Sequence, residues 1–224
     1  MKKLFLFIPL ILCGMFIFGQ SNEKSEVRSL KSFDKIKISK GINVTLIEGD
    51  TPEAEIVIEN AELEDVIIQQ KGKEVSIKMK TKIYKEVVVN VYITFQNIRE
   101  IHAGSGGSLD SEDIIEADQL VLTAGLDASI ELEVEVKKLV VSVSAARIQV
   151  SGTAEYIDVK TSTAGKFIGE NLECKQAYVK TNTGGIAQVW VTELLEASAG
   201  AGARVEYKGN PTKIEAKGKV MEID

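Results

Sequence analysis

The chain is poor in most of what carries chemistry or cross-links. Its 224 residues include two cysteines, one histidine, one tryptophan and three prolines, and aromatic side chains make up 6%. Cys13 lies in an apolar N-terminal stretch that reads as a signal peptide, so processing leaves Cys174 alone and excludes a disulfide within the mature chain. The alternation Leu172-Glu173-Cys174 turns Cys174 inward as a small apolar filler, and only Lys175 stands beside it to favour a thiolate. A metal site of the usual kind or a Ser-His-acid triad would rest on His102 alone. His102 precedes Ala103-Gly104-Ser105-Gly106-Gly107, yet no helix follows Ser105 as a nucleophile elbow requires, and none is there to receive a phosphate. The expectation is a solvent-facing His102 beside a turn, with no catalytic, cofactor-binding or metal-ligating residue and no cofactor.

Positive charge is also short. Met1-Lys2-Lys3 and the apolar run Leu4 to Phe18, closed by Gly19-Gln20, have the order of a secretory signal over residues 1–20. The run is shorter than the ~17–25 residues a membrane span needs, so no stable span is expected after cleavage. Lipidation at Cys13 fits less well, because Leu12 is large where a small residue is wanted and the apolar run continues past it. Removing Lys2 and Lys3 lowers Lys plus Arg from 27 to 25 against 33 acidic residues, and the net charge from −6 to −8. An acidic body has no electrostatic reason to seek nucleic acid or anionic lipid.

Helical periodicity is missing too; Leu63–Gln70 could make one turn at most. Present instead is period-two alternation, as in Ile36-Lys37-Ile38, Val44-Thr45-Leu46, Glu55–Glu59, Val75–Met79 and Val87–Phe95, bounded by glycine and charged turns. Residues 21–31 are polar and read as a mobile leader. In the C-terminal half the strands repeat. Segments beginning at Leu120, Leu139, Ile157, Ala177, Leu195 and Ile214 are separated by 19, 18, 20, 18 and 19 residues. A second alternation, such as Ile130-Glu131-Leu132 or Ile148-Gln149-Val150, trails each of the first five by 9 or 10 residues. Small residues link the two, as in Ser144-Ala145-Ala146, Thr163-Ala164-Gly165 and Thr183-Gly184-Gly185, and would permit sharp corners without steric cost. Ser151-Gly152 and Gly209-Asn210-Pro211 mark the opposite corner.

A near-constant period marks a stacked repeat. The fold expected is all-β, a parallel β-solenoid of about six 18–20-residue coils. Leu120, Leu122, Leu139, Val141, Ile157, Val159 and Val179 would face inward, with Lys160, Lys180, Glu196 and Glu215 in water. A β-sandwich also has a strand every 8–12 residues, but would not hold one period. Each buried Leu, Val or Ile contributes roughly 1.5–3 kcal/mol, enough to order a coil only when neighbours cover both sides. Residues 33–97 are expected to cap the N-terminal end and 98–219 to form the coils. Lys213, Lys217 and Lys219 would blunt the other end, which could also be a self-association surface.

Two features invite a binding reading. Asp110, Glu112, Asp113, Glu116 and Asp118, then Asp127, Glu131, Glu133 and Glu135, are oxygen-rich, but lack the spacing of a calcium loop. Tyr156, Tyr178 and Trp190 fall in successive coils and could form an aromatic platform.

The stretch from Phe33-Asp34-Lys35-Ile36-Lys37-Ile38 through Gly41-Ile42-Asn43 and Val44-Thr45-Leu46 to Glu48-Gly49-Asp50 resembles the opening of the head GIN domain family, named for that tripeptide. The small-residue corners at about 19-residue spacing extend the resemblance to about Lys219. It implies an exported cell-envelope protein of the kind found in Bacteroidetes and described as an auto-transporter adhesin, with a solenoid-like β fold and no family catalytic residues. No translocating barrel follows the coils, so the resemblance implies a passenger-like rod. The expected function is non-enzymatic adhesion or scaffolding in the periplasm, on the outer surface or outside the cell. Its partner would be a surface ligand (glycan or matrix protein) or other envelope proteins. The alternative is a polysaccharide-active enzyme or calcium-dependent glycan-binding module on a β-helix.

Overall fold

The structure, a computed structural model, describes residues 23–223. The expected signal peptide, with Cys13, lies outside the described residues. Among the described residues seventeen strands join in one sheet: β1 (Glu23–Ser29), β2 (Lys35–Ser39), β3 (Asn43–Glu48), β4 (Glu53–Glu59), β5 (Val66–Lys71), β6 (Glu74–Met79), β7 (Val88–Phe95), β8 (Glu100–Gly104), β9 (Ser108–Ser111), β10 (Ile115–Gly125), β11 (Ser129–Ser144), β12 (Arg147–Ser162), β13 (Lys166–Thr181), β14 (Ile186–Ala199), β15 (Arg204–Lys208), β16 (Lys213–Lys217) and β17 (Val220–Glu222). The one helical element among the described residues is a single 3-10 turn, Leu63–Asp65.

The periodic segments lie on one another as the spacing predicts. Leu120 pairs with Leu139, Leu139 with Ile157, Ile157 with Ala177, and Leu195 with Ile214, all in parallel register. This first ladder runs β6-β2-β8-β10-β11-β12-β13-β14-β16. The second alternation builds a second ladder, in which Ile130 pairs with Ile148, Ile148 with Phe167, Phe167 with Ala187 and Ala187 with Val205. Strands β11 to β14 are long enough to serve both ladders, so the parallel β-solenoid is one continuous sheet wound around one core. Leu120, Leu122, Leu139, Val141, Ile157, Val159 and Val179 are all buried there, with Lys160, Lys180 and Glu215 exposed and Glu196 half-buried.

The stack extends further toward the N-terminus than the period indicates. β2 is in parallel register with β8, Ile36 opposite Ile101 and Ile38 opposite Ala103, while β3 is in parallel register with β9. Residues 35–48 are therefore a winding of the solenoid inside the stretch expected to be cap. The cap proper is β4 to β7 plus β1: β6 and β7 pair in parallel with β2 and β3, and β5, β4 and β1 close the edges antiparallel. Residues 23–29, expected to be mobile, form β1, because alternating Lys24, Glu26 and Arg28 can pair at an edge without burial. Arg28 then ties that edge to the other ladder, donating to the carbonyl oxygens of Val66 at 2.8 Å and Leu63 at 3.0 Å.

The sharp corners form a column. In each of Ser105/Gly106, Leu126/Asp127, Thr163/Ala164 and Thr183/Gly184 both residues have positive φ, the signature of a type I′ turn. Each corner also donates to the next coil, for example Gly106 N to Leu126 O at 2.8 Å, Asp127 N to Ala145 O at 2.7 Å and Ala164 N to Thr183 O at 3.0 Å. Small size alone does not make these corners free of strain. A left-handed φ costs a non-glycine residue about 1–2 kcal/mol, and the bond to the neighbouring corner offsets it. The Gly41-Ile42-Asn43 tripeptide is the corner of the winding at residues 35–48. Gly41 takes φ +66 and donates to Ser105 O, Ile42 is fully buried, and the Asn43 Nδ2 amide donates to Asn90 Oδ1 at 3.1 Å.

Among the described residues the C-terminal end has no counterpart to the cap. Every residue of β16 is exposed, including Ile214 at 44%, although Ile214 occupies the column position that is fully buried at Leu195.

Candidate binding face

A flat ladder offers function its outward columns. On the first ladder one column reads Glu100, Val121, Val140, Asp158, Tyr178, Glu196 and Glu215, and the next reads His102, Thr123, Ser142, Lys160, Lys180, Ser198 and Lys217. Toward the C-terminal coils this sets carboxylates beside amines, with Lys160 Nζ 3.8 Å from Asp158 and Lys213 Nζ 2.6 Å from Glu215. Lys180 makes no ion pair among the described residues.

Two aromatic rings lie within these charges. Tyr156 and Tyr178 have centroids 4.9 Å apart at an interplanar angle of 31°, a tilted stack of the kind that contributes about 0.5–1.5 kcal/mol beyond burial. Lys138 Nζ sits 5.4 Å from the Tyr156 centroid. Partial burial, then the nearby Asp158 carboxylate, pushes the Tyr156 phenol upward, so it stays a hydrogen-bond donor at neutral pH. Asp158, Tyr178, Lys180, Glu196, Ser198 and Glu215 line a shallow, open depression next to the pair. Half-exposed rings fringed by donors and acceptors can hold a polyhydroxylated or peptide-like ligand by stacking and hydrogen bonding.

Of the three aromatics singled out in the sequence, the structure brings two together. Trp190 lies in the second ladder, opposite Glu173 and Lys208, with Lys208 Nζ 4.8 Å from its ring centroid. The contributions of Lys138 and Asp158 were not visible without the register.

The other residues weighed meet at most in opposed pairs, Asp110 with Glu131 and Glu116 with Glu135. His102 Nε2 is 2.6 Å from Glu100 Oε1, and Lys35 Nζ is 2.6 Å from Glu100 Oε2. His102 is thus engaged along its own strand, while Ser105 is exposed on the corner. Asp110 faces outward on β9 opposite Glu131, and the Asp113 carboxylate accepts the Glu48 N–H at 2.7 Å. Asp127 is a corner residue at the opposite end of that ladder. Glu131, Glu133 and Glu135 are exposed at alternate positions of β11 and Asp118 pairs with Lys137. Among the described residues no three His, Cys, Asp or Glu side chains converge to hold a metal ion. Cys174 is buried, donates to the Trp190 carbonyl oxygen at 3.2 Å, and has its thiol pushed up to about 12 by burial. No helix among the described residues is long and apolar enough to cross a membrane.

A family model described as "Putative auto-transporter adhesin, head GIN domain" matches residues 32–211. No curated protein matches the chain. Among solved structures, it is similar to a protein described as a "putative adhesin" from Bacteroides fragilis, with TM-score 0.81 and 17% identity over 90% of this chain and 97% of that one. A "putative adhesin" from Parabacteroides merdae has TM-score 0.71 and 21% identity over 92% and 98% of the two chains. A "Putative lipid binding protein" from Parabacteroides distasonis has TM-score 0.72 and 16% identity over the same shares. At these identities the likeness is one of fold.

Proposed function

The chain belongs to the head GIN domain family, and from that premise we propose that it is an exported, non-catalytic adhesion module of the cell envelope. Residues 1–20 act as its signal peptide, and the outer face around Tyr156 and Tyr178 engages a surface ligand, a glycan or a matrix protein. The observation that carries this reading is the stacked tyrosine pair among ordered carboxylates and amines on an open wall. An open wall suits adhesion, where many weak contacts add over a surface; catalysis on a sugar chain asks instead for two carboxylates converging on one bond. The dispersal of Asp110, Asp113 and Asp127 supports the non-catalytic reading.

The test is a screen of the purified protein against glycans and matrix proteins, with and without calcium, beside Tyr156→Ala/Tyr178→Ala. The expected result is a calcium-independent ligand whose binding drops at least tenfold in the double variant. Binding unaffected by the double variant would move the site elsewhere, and cleavage of a bound glycan would overturn the proposal.

A further inference from the structure

The two ends of the solenoid differ. At the N-terminal end the outer edges are antiparallel strands, tied across by Arg28. At the C-terminal end the first ladder stops at β16, whose outer edge is unpaired among the described residues, with Ile214 44% exposed at a core position. Edges left this way recruit another strand.

The sequence of β16 says which strand fits. Lys213-Ile214-Glu215-Ala216-Lys217 alternates charge outward with apolar side chains toward the core column. A two-fold axis through Ile214 would pair β16 antiparallel with itself, Ile214 opposite Ile214 and Ala216 opposite Thr212. Lys213 would stand opposite Glu215, and Glu215 opposite Lys213. Directly opposed residues of an antiparallel pair share a face, so both lysine–glutamate pairs lie outside and both isoleucines inside. The neighbouring registers fail. An axis through Glu215 opposes Glu215 with Glu215 and Lys213 with Lys217, and one through Ala216 leaves Ile214 opposite Gly218 and uncovered.

We infer that the chain forms a two-fold dimer through its C-terminal edge, β16 pairing antiparallel with β16 of a second copy in the register centred on Ile214. Because the axis stands perpendicular to the first ladder, the tyrosine faces of both copies point the same way. At ~4.8 Å per strand the two Tyr178 positions are five strand spacings, roughly 24 Å, apart. The dimer does not depend on the adhesion reading, and its test reads mass rather than ligand binding.

Sedimentation equilibrium of the purified protein should show a concentration-dependent dimer. Lys213→Glu and Glu215→Lys each oppose like charges twice across the axis and should each raise the dimer dissociation constant about tenfold. Mixing these two variants opposes unlike charges at both positions and should restore a heterodimer. Lys217→Glu, at a residue opposite Pro211 in this register, should change nothing. All of these positions are exposed, so folding is not at stake. A monomer at every accessible concentration would overturn the inference. So would a dimer indifferent to Lys213→Glu, or a mixture of the two variants that stays monomeric.

Discussion

Gly152 faces the carbonyl oxygen of Val134 so closely that a Cβ on it would lie 2.1 Å from that atom, and its φ is +104. Gly152 marks the corner opposite the type I′ turns, where β12 lies in parallel register against the backbone of β11 at Val134. Gly152→Ala should therefore lower stability by about 2–3 kcal/mol, combining backbone strain with a clash against main chain that cannot rotate away. Gly184→Ala is the comparison, since its φ is +74 but the nearest atom is 3.9 Å from the added carbon. It should cost only the left-handed backbone, about 1 kcal/mol. Urea unfolding of both variants would order them, and equal losses would show that strain alone governs the coil corners.

Thr161 occupies a core position of the first ladder and its hydroxyl has no hydrogen-bond partner among the described residues. Thr161→Val keeps the shape and removes a desolvated polar group, so the unfolding midpoint should rise, by about 1 kcal/mol in free energy. At Thr181, next in the column, the hydroxyl reaches the Ser198 carbonyl oxygen at 3.4 Å. Thr181→Val should be near neutral. A destabilised Thr161→Val would mean that the hydroxyl has found a partner.

Burial pushes the Cys174 thiol up to about 12, against 9.0 for an ordinary cysteine. Its folded pKa is raised, so the unfolded chain gives up this proton first. The stability it contributes is full below about pH 9 and is lost progressively as pH rises toward about 12. Cys174→Ala should flatten the alkaline fall in stability. In the native protein near neutral pH a thiol reagent should label Cys174 only at the rate of unfolding, and rapid labelling would refute its burial.

Glu100 is held below the usual carboxylate range first by its bond to His102 and then by Lys35. A depressed carboxylate stabilises the fold above its unfolded pKa and loses that contribution as pH falls through the folded value. Glu100→Gln should therefore cost up to about 1 kcal/mol at neutral pH, with a smaller penalty below pH 4.5, the ordinary glutamate value. A penalty independent of pH would point to packing rather than charge.

The first ladder was legible because its period sets its register. Leu120, Leu139 and Ile157 share a phase in the sequence and a column in the fold. The winding at residues 35–48 was not, because its pair, Ile36 with Ile101, spans the whole cap excursion and so shows no period. The tyrosine pair was only half legible. Tyr156 and Tyr178 belong to adjacent columns, Tyr156 opposite Gln176 and Tyr178 opposite Asp158, so they touch on the diagonal. Trp190 has the same coil count but the other wall. Ile214 misleads in the opposite direction: its alternation is that of a buried strand, yet among the described residues no further rung covers it.

β2 and β3 are flanked on both sides by strands that come later in the chain, β6 and β7 on one side and β8 and β9 on the other. During synthesis, residues 35–48 therefore leave the ribosome with nothing to zip onto, and wait until Ser111 has emerged before both of their edges are satisfied. Loop closures of this span are slow, whereas every later rung can crystallise onto its predecessor as it appears. The N-terminal third thus stays unsealed until Ser111 has emerged, and the later rungs add outward from that late-sealed seed.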